Sequence, residues 1–428
     1  MTVIQQLRGR VADLFRNVGR SGRAPAIAAL DIGTEFAKAL VLSVEQDAEG
    51  RLLGVVQGSG RQRQGLTHMQ SGTVSDIDAV VANCRVAMDE AIAMAGRRPV
   101  AAVIGIAGEL VKGSTSMLTM RRDDPRTPLG EPELDRIVTR AQELALREAE
   151  ERIRWESGMD RLDVRLVHAA IVEMTIDGYP VSNPIGFTGA QVELHLFNAF
   201  APMVHLGALQ SVANALGLEL LGVIAEPYAV ATCLDPGELG DAGAVFVDIG
   251  GGTTDVALVR GGGIAGTKML ALGGRAFTKG VAERLGLTFA EAEEAKLAIG
   301  TDDRAEVAEA LLEDARIWRS GVELMIGDLA GGELLPARVL LCGGGADLPQ
   351  VRAVLDEDGW WNRLPFARRP KVRALGPDEV IGVRDATGSL ATRQDVTPMA
   401  LAHQALILDA GASVVDRAIR GVVREMAL

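Results

Sequence analysis

The chain has 428 residues, 48% hydrophobic and 24% charged, which is long enough for two or more domains and too apolar for a disordered polymer. A net charge of −13 with only 4% aromatic residues argues against nucleic acid as a main partner and predicts an aliphatic core. Cys84, Cys233 and Cys342 are widely separated and the five histidines show no H-x-x-x-H pair, which argues against a disulfide frame or a zinc site.

No stretch of eighteen apolar residues is present and the start lacks a signal-peptide apolar region, so the expected location is cytoplasmic. Residues 1–23 read as a separate amphipathic helix. Val3, Ile4, Leu7, Val11, Leu14, Phe15 and Val18 share one face, and Arg8, Arg10 and Arg16 lie on the other. The stretch GRSGRAP then separates this helix from the body.

From Ala26 the pattern becomes strand, tight turn, strand, in AIAALDIGTEFAKALVLSV. Helices are expected over 76–96, 131–157 and 203–217, with PVAAVIGIAG and LELLGVIAEP as apolar strands. VFVDIGGGTTDVALV at 245–259 opens a second half of two strands. Helices follow from about Gly274, near 288–298 and over 303–326, then the strand ARVLLCGGGADLP, and 395–428 are mostly helical.

Two turns repeat one chemistry. Asp31-Ile32-Gly33-Thr34 and Asp248-Ile249-Gly250-Gly251-Gly252-Thr253-Thr254 each place an aspartate at the end of an apolar strand, followed by glycine and threonine, roughly 220 residues apart. Bare backbone lets N–H groups approach phosphate oxygens, and carboxylates suit Mg²⁺, usually through bound water. A third turn, Gly343-Gly344-Gly345, closes a late strand where it can lie against a nucleoside. Each cluster alone would read as a plain hairpin turn; the three in this order read as a nucleotide site.

The succession DIGTE, AEPYAVA, VDIGGGTTDVALV and LLCGGGADLP resembles the actin/sugar-kinase/chaperone ATPase superfamily. Within it, GYPVSNPIGFTGAQVEL at 178–194 resembles the insert subdomain of the FtsA family, and EAEEAKLAIG at 291–300 resembles the nucleoside-contacting helix shared by FtsA and MreB. The resemblance covers roughly residues 26 to 406. It implies an α/β, duplicated actin-like ATPase fold, two domains around a nucleotide cleft, with an FtsA-type insert in the first half. After the N-terminal basic amphipathic helix at 1–23, the division it implies is a first half at 26–100 and 191–240 around an insert at 101–190, a second half with a reduced outer subdomain at 241–390, and C-terminal helices at 391–428.

The resemblance also implies ATP and Mg²⁺ as ligands. Asp31, Gly33 and Thr34 would form the first phosphate hairpin, and Gly250, Gly251, Gly252, Thr253 and Thr254 the second. Asp248 would face Mg²⁺ or the hydrolytic water, with Asp31 as the other carboxylate near the metal, and Glu226 would orient that water. Glu293 would meet the ribose, Lys296 the adenine side, and Gly343, Gly344 and Gly345 the adenosine. Lys38 is either a phosphate contact or a solvated lysine. Glu226 has a plainer reading as a helix cap, and Glu293 with Lys296 as a surface ion pair. His168 and His195 read as ordinary strand residues, and Asp255 as a group that holds the second hairpin in shape.

The family's implied role is a slowly hydrolysing actin homologue that polymerises on itself, sits on the inner face of the membrane and organises the FtsZ division ring. Two departures stand out: the outer subdomain of the second half, where FtsA docks FtsZ, looks trimmed, and His403 stands where a glycine is usual. The expected anchor to anionic lipid is residues 3–18, with the helix at 413–428 as the alternative. A PilM-like scaffold of a type IV pilus or secretion machine is the competing reading. A small-molecule kinase would need a sugar pocket for which no signal is present.

Overall fold

Strand β1, Ala26–Ile32, is buried at all seven residues, as a strand covered on both faces requires. The computed structural model describes residues 25–409 apart from 109–110, 159–162, 182, 241, 262 and 301–303. The two expected anchors, 3–18 and 413–428, lie outside the described residues.

β1 turns back antiparallel into β2 (Phe36–Gln46), and β2 into β3 (Leu52–Arg63). A small hairpin of β4 (Met69–Gln70) and β5 (Thr73–Val74) leads to helix α1 (Ile77–Ala95). α1 starts where the Asp76 carboxylate accepts the Ala79 N–H and stops at Gly96, φ +62°. It lies directly on β3 because Gly58 and Gly60 have no Cβ to collide with the carbonyls of Ala91 and Ala87. β6 (Pro99–Ile106) joins β1 in parallel on the other side.

The chain then leaves this sheet and builds β7 (Lys112–Arg121), α2 (Glu131–Ser157), β8 (Val164–Ile176), β9 (Tyr179–Pro180) and β10 (Gln191–Pro202). His168 falls in β8 and His195 in β10. Helix α3 (Met203–Leu216) returns it to β11 (Glu219–Ala225), parallel to β6. After α4 (Glu226–Ala231) and α5 (Pro236–Leu239) come β12 (Ala244–Ile249), β13 (Thr254–Arg260) and β14 (Gly263–Leu270). Helices α6 (Gly274–Leu285), α7 (Phe289–Leu297) and α8 (Ala305–Ala330) follow, then β15 (Arg338–Cys342), α9 (Pro349–Asp356) and β16 (Lys371–Ala374). β17 (Val383–Asp385) and α10 (Val396–Asp409) close the described chain.

The first sheet runs β11-β6-β1-β2-β3-β17 and the second β16-β15-β12-β13-β14-β7-β10-β8-β9. The order β11-β6-β1-β2-β3 recurs as β16-β15-β12-β13-β14 with the same strand senses. The repeat of aspartate-glycine turns is therefore a repeat of the fold. β7 joins the second sheet to the strands before α3 through the pairing of Gly266 with Ser114.

The C-terminal residues complete the first half: β17 pairs in parallel with β3, and α10 packs on β1, β6 and α4. The second half has its own core around Trp318, whose indole N–H donates to Thr254 Oγ1 at 2.9 Å. All three cysteines are free thiols and buried.

Candidate functional site

The two glycine turns meet. In the first, the Gly33 N–H donates to the Phe36 carbonyl at 3.0 Å; in the second, the Gly250 N–H donates to the Thr253 carbonyl at 2.9 Å. The start of α6 docks on the second turn, with the Gly274 N–H on the Gly250 carbonyl at 2.9 Å and the Arg275 N–H on the Gly251 carbonyl at 2.7 Å. A Cβ at Gly251 would stand 2.6 Å from Glu35 Cβ, and one at Gly252 would stand 2.6 Å from Thr34 Oγ1. These glycines are needed for the approach of two backbones, not for an unusual φ.

The turns open on a cavity of about 440 Å³. Asp31, Gly33, Thr34, Lys38, Glu226, Asp248, Gly250, Gly251, Thr253, Glu293, Lys296 and Gly343 to Gly345 all line it. Gly252 and Thr254 were also expected at the phosphates, and neither lines the cavity. Gly252 is packed on Thr34, and Thr254 turns inward, its hydroxyl donating to the Leu272 carbonyl at 2.7 Å. In β13 successive side chains alternate faces, so Thr254 goes to the core and Asp255 to the cleft.

Strand register explains the electrostatics. Asp31 lies opposite Lys38 in the first half, whereas the equivalent residues of the second half, Asp248 and Asp255, are both acids. Glu226, the first residue of α4, caps nothing and faces the same cavity. It fits there because Gly105 of β6 carries no side chain: a Cβ would collide with the Glu226 carboxylate and lie 2.8 Å from Leu401 Cδ1. Four carboxylates thus face one lysine. Lys38 donates to Asp31 Oδ2 at 2.9 Å and to the Gln394 carbonyl at 2.7 Å, so it is neither solvated nor free.

Burial drives the Asp248 carboxyl above its ordinary range, against the Thr397 hydroxyl that donates to it at 2.6 Å and the Lys38 charge. Burial and then Asp248 lift Asp255 from 3.8 to about 8, despite the Thr253 hydroxyl at 3.2 Å. Burial, followed by the charges of Asp31, Asp255 and Asp248, lifts Glu226 well above its usual value. Burial works to lower the Lys38 ammonium, but Asp31 and the other acids outweigh it and hold it above its ordinary value.

An acid with a raised folded-state pKa loses stability as pH rises from its unfolded to its folded value. The stability difference between Asp255→Asn and the parent is therefore expected to widen from about pH 4 to about pH 8 and level off above, on the order of a few kcal/mol. Thermal unfolding of both proteins without nucleotide, across that range, checks this; a constant difference would refute it.

This donor set, all oxygen and excess negative charge, fits a hard divalent cation. Among the described residues no three His, Cys, Asp or Glu side chains stand close enough to hold a metal alone, so phosphate and water would have to supply most ligands.

Beside these acids, Gly343 adopts φ +80° and any Cβ there would collide with Asp248 Oδ1. Glu293 and Lys296 form an i,i+3 pair at 2.8 Å, but a buried one, not a surface pair. Lys296 also donates to Thr278 Oγ1 at 2.8 Å and to the Gly274 carbonyl at 3.0 Å, and Thr278 donates to Glu293. Burial opposes ionisation of Glu293, yet Lys296, Thr278 and Arg63 hold its carboxyl below its usual range.

Sequence reasoning missed Glu35, Arg63, Arg275, Thr397 and Gln394. Glu35 follows Thr34 directly and Arg275 sits in the first turn of a helix behind two glycines, which are local signals. Thr397 and Gln394 lie about 150 and 360 residues from the groups they hold and left no local signal.

Residues 245–380 match the family model described as cell division protein FtsA. The chain is 28% identical over 273 residues to the cell division protein FtsA of Pseudomonas aeruginosa, covering 63% of this chain and 60% of that protein. Against the FtsA of Bacillus subtilis it is 24% identical over 383 residues, covering 83% of this chain and 79% of that one. The match thus spans about three fifths of the Pseudomonas relative's length. Among solved structures, the PilM-PilN type IV pilus biogenesis complex matches with a TM-score of 0.58 at 18% identity, over 89% of this chain and 98% of that one, a likeness of fold. With its duplicated sheets and facing turns, the chain has the actin-like ATPase fold and is similar in part of its sequence to the cell division protein FtsA.

Proposed function

We propose that this chain is an FtsA-like actin homologue that binds ATP with Mg²⁺, polymerises on a membrane surface and helps organise the cell-division ring. The observation that carries the nucleotide reading is the convergence of both aspartate-glycine turns and the Gly343–Gly345 turn on one cavity whose buried carboxylates exceed its cations. Gly33, Thr34, Gly250, Gly251 and Thr253 would cradle the phosphates, and Gly343 to Gly345, Glu293 and Lys296 the adenosine. Bound Mg²⁺ would neutralise phosphate charge, held by Asp31 and Asp248 through water. Glu226 would orient and deprotonate the attacking water. Lys38, committed to Asp31 and Gln394, would serve to hold Asp31 in place, with its charge felt by the phosphates. We take residues 26–106 and 203–240, completed by β17 and α10, as one half, with 107–202 as its insert where 101–190 was expected, and 241–380 as the other half.

One feature counts against FtsZ as the partner. Among the described residues no strand lies between Leu270 and Arg338, so the outer region where FtsA docks FtsZ is reduced to helices. FtsZ as partner is therefore the finest part of the proposal.

Electron microscopy on an anionic lipid monolayer with ATP tests the reading. Filaments are expected from the full chain, and loss of lipid-bound protein on deleting residues 1–20. Rings or dispersed monomers would favour the scaffold, and unchanged binding of the deletion would move the anchor to 413–428.

A further inference from the structure

Charged side chains cross the cleft mouth twice. Arg275 of α6 reaches from the second half into the first turn: its Nε donates to Glu35 Oε2 at 2.8 Å and its guanidinium to the Thr34 carbonyl at 2.7 Å. Its remaining contacts are the carbonyls of Gly65 at 3.4 Å and Leu66 at 3.3 Å, both first-half residues. Glu35 in turn accepts from Arg63 Nε at 2.6 Å, and Arg63 crosses back to Glu293 Oε1 at 3.4 Å. Glu293 pairs with Lys296, which donates to the carbonyl of Gly274, the neighbour of Arg275.

The circuit Arg275, Glu35, Arg63, Glu293, Lys296 therefore closes on itself across the two halves. The Arg275 and Glu35 side chains are only 16% and 17% exposed, so their attraction is weakly screened compared with a surface pair. The same Arg275 holds the second turn, because its own N–H donates to the Gly251 carbonyl. One residue thus sets the spacing between both turns.

We propose that Arg275 is a positioning residue that clasps the two halves through Glu35 and so sets the closure of the cleft and the rate at which a bound nucleotide leaves. The effect on release rests on the nucleotide reading above; the clasp itself does not. No other described contact joins both turns through a single side chain and its own main chain, and the pair Arg63–Glu293, longer and more exposed, is the second latch.

The test has two arms. Spin labels at Val86→Cys on α1 and Leu324→Cys on α8, both exposed positions, report the distance between the halves, the native cysteines being buried. Arg275→Ala and Glu35→Ala are each expected to broaden the distance distribution toward longer values. The double variant is expected to fall short of the sum of the two, because the Arg275–Glu35 pair is lost in both, while the carbonyl contacts of Arg275 and the Arg63 bond of Glu35 are each lost in only one. In the second arm, release of a fluorescent ATP analogue from Arg275→Ala is expected to be about tenfold faster than from the parent. Added salt is expected to speed release more from the parent than from the variant, and Arg275→Lys is expected to restore part of the slow release.

Distances unchanged by Arg275→Ala, or effects of the two substitutions that simply add, would overturn the clasp. Changed distances with an unchanged release rate would overturn the link to nucleotide exit. A parent protein that binds no nucleotide would overturn the nucleotide reading, and the distances would still decide the clasp.

Discussion

Asp248→Ala is expected to abolish Mg-ATP binding, read by titration calorimetry. Asp248 is the penultimate residue of β12 and half-buried, with one oxygen accepting from Thr397 at 2.6 Å and the other against Gly343, where no Cβ could be accommodated. Both neighbours fix the carboxylate's direction into the cavity. Its neighbours are held by other partners: Asp31 is paired with Lys38, and Asp255 accepts from Thr253 in the hairpin. Loss of binding would not reflect unfolding. Burial disfavours the Asp248 charge, so its removal relieves an electrostatic cost and the melting temperature is expected to hold or rise. Retained ATP affinity in a well-folded variant would sink the assignment of this carboxylate.

Glu226→Ala is expected to leave ATP binding close to the parent's and to lower hydrolysis on the order of 10²-fold or more. The residue opens α4 with its carboxylate in the gap left by Gly105, adjoining the acid cluster and not the turns themselves. A group so placed contributes little to holding phosphates and much to the water beside them. Burial and like charges favour its neutral form in the empty cleft, and only the ionised form can accept a proton. Hydrolysis is therefore expected to rise with pH above the ordinary carboxylate range in the parent, and that limb is expected to vanish in the variant. A single-turnover assay at several pH values separates the steps. Equal losses of binding and hydrolysis would place Glu226 among the binding groups, and unchanged hydrolysis would remove it from the chemistry.

Much of the site was legible because its demands are local. A carboxylate at the end of an apolar strand and a glycine where backbones must meet can both be read from a few adjacent residues, as at Asp31–Thr34 and Asp248–Thr253. The failures were local too. Thr254 belongs to the same motif as Thr253, but the alternation of a strand sends it to Trp318 and away from the cleft. Lys38 read as free or phosphate-bound because its partners, Asp31 by strand pairing and Gln394 from the far end of the chain, are set by pairing and return of the chain.

By itself, the sequence determined the duplicated turns, the strand-and-helix succession around them and the carboxylates Asp31 and Asp248 beside the turns, since each follows from residue type and short spacing. Only the tertiary structure decided which charges meet. The acid pair Asp248–Asp255, the gap at Gly105 for Glu226, and the reach of Arg275 to Glu35 all depend on surfaces brought together from distant segments, and spacing along a chain carries no record of distance across a cleft.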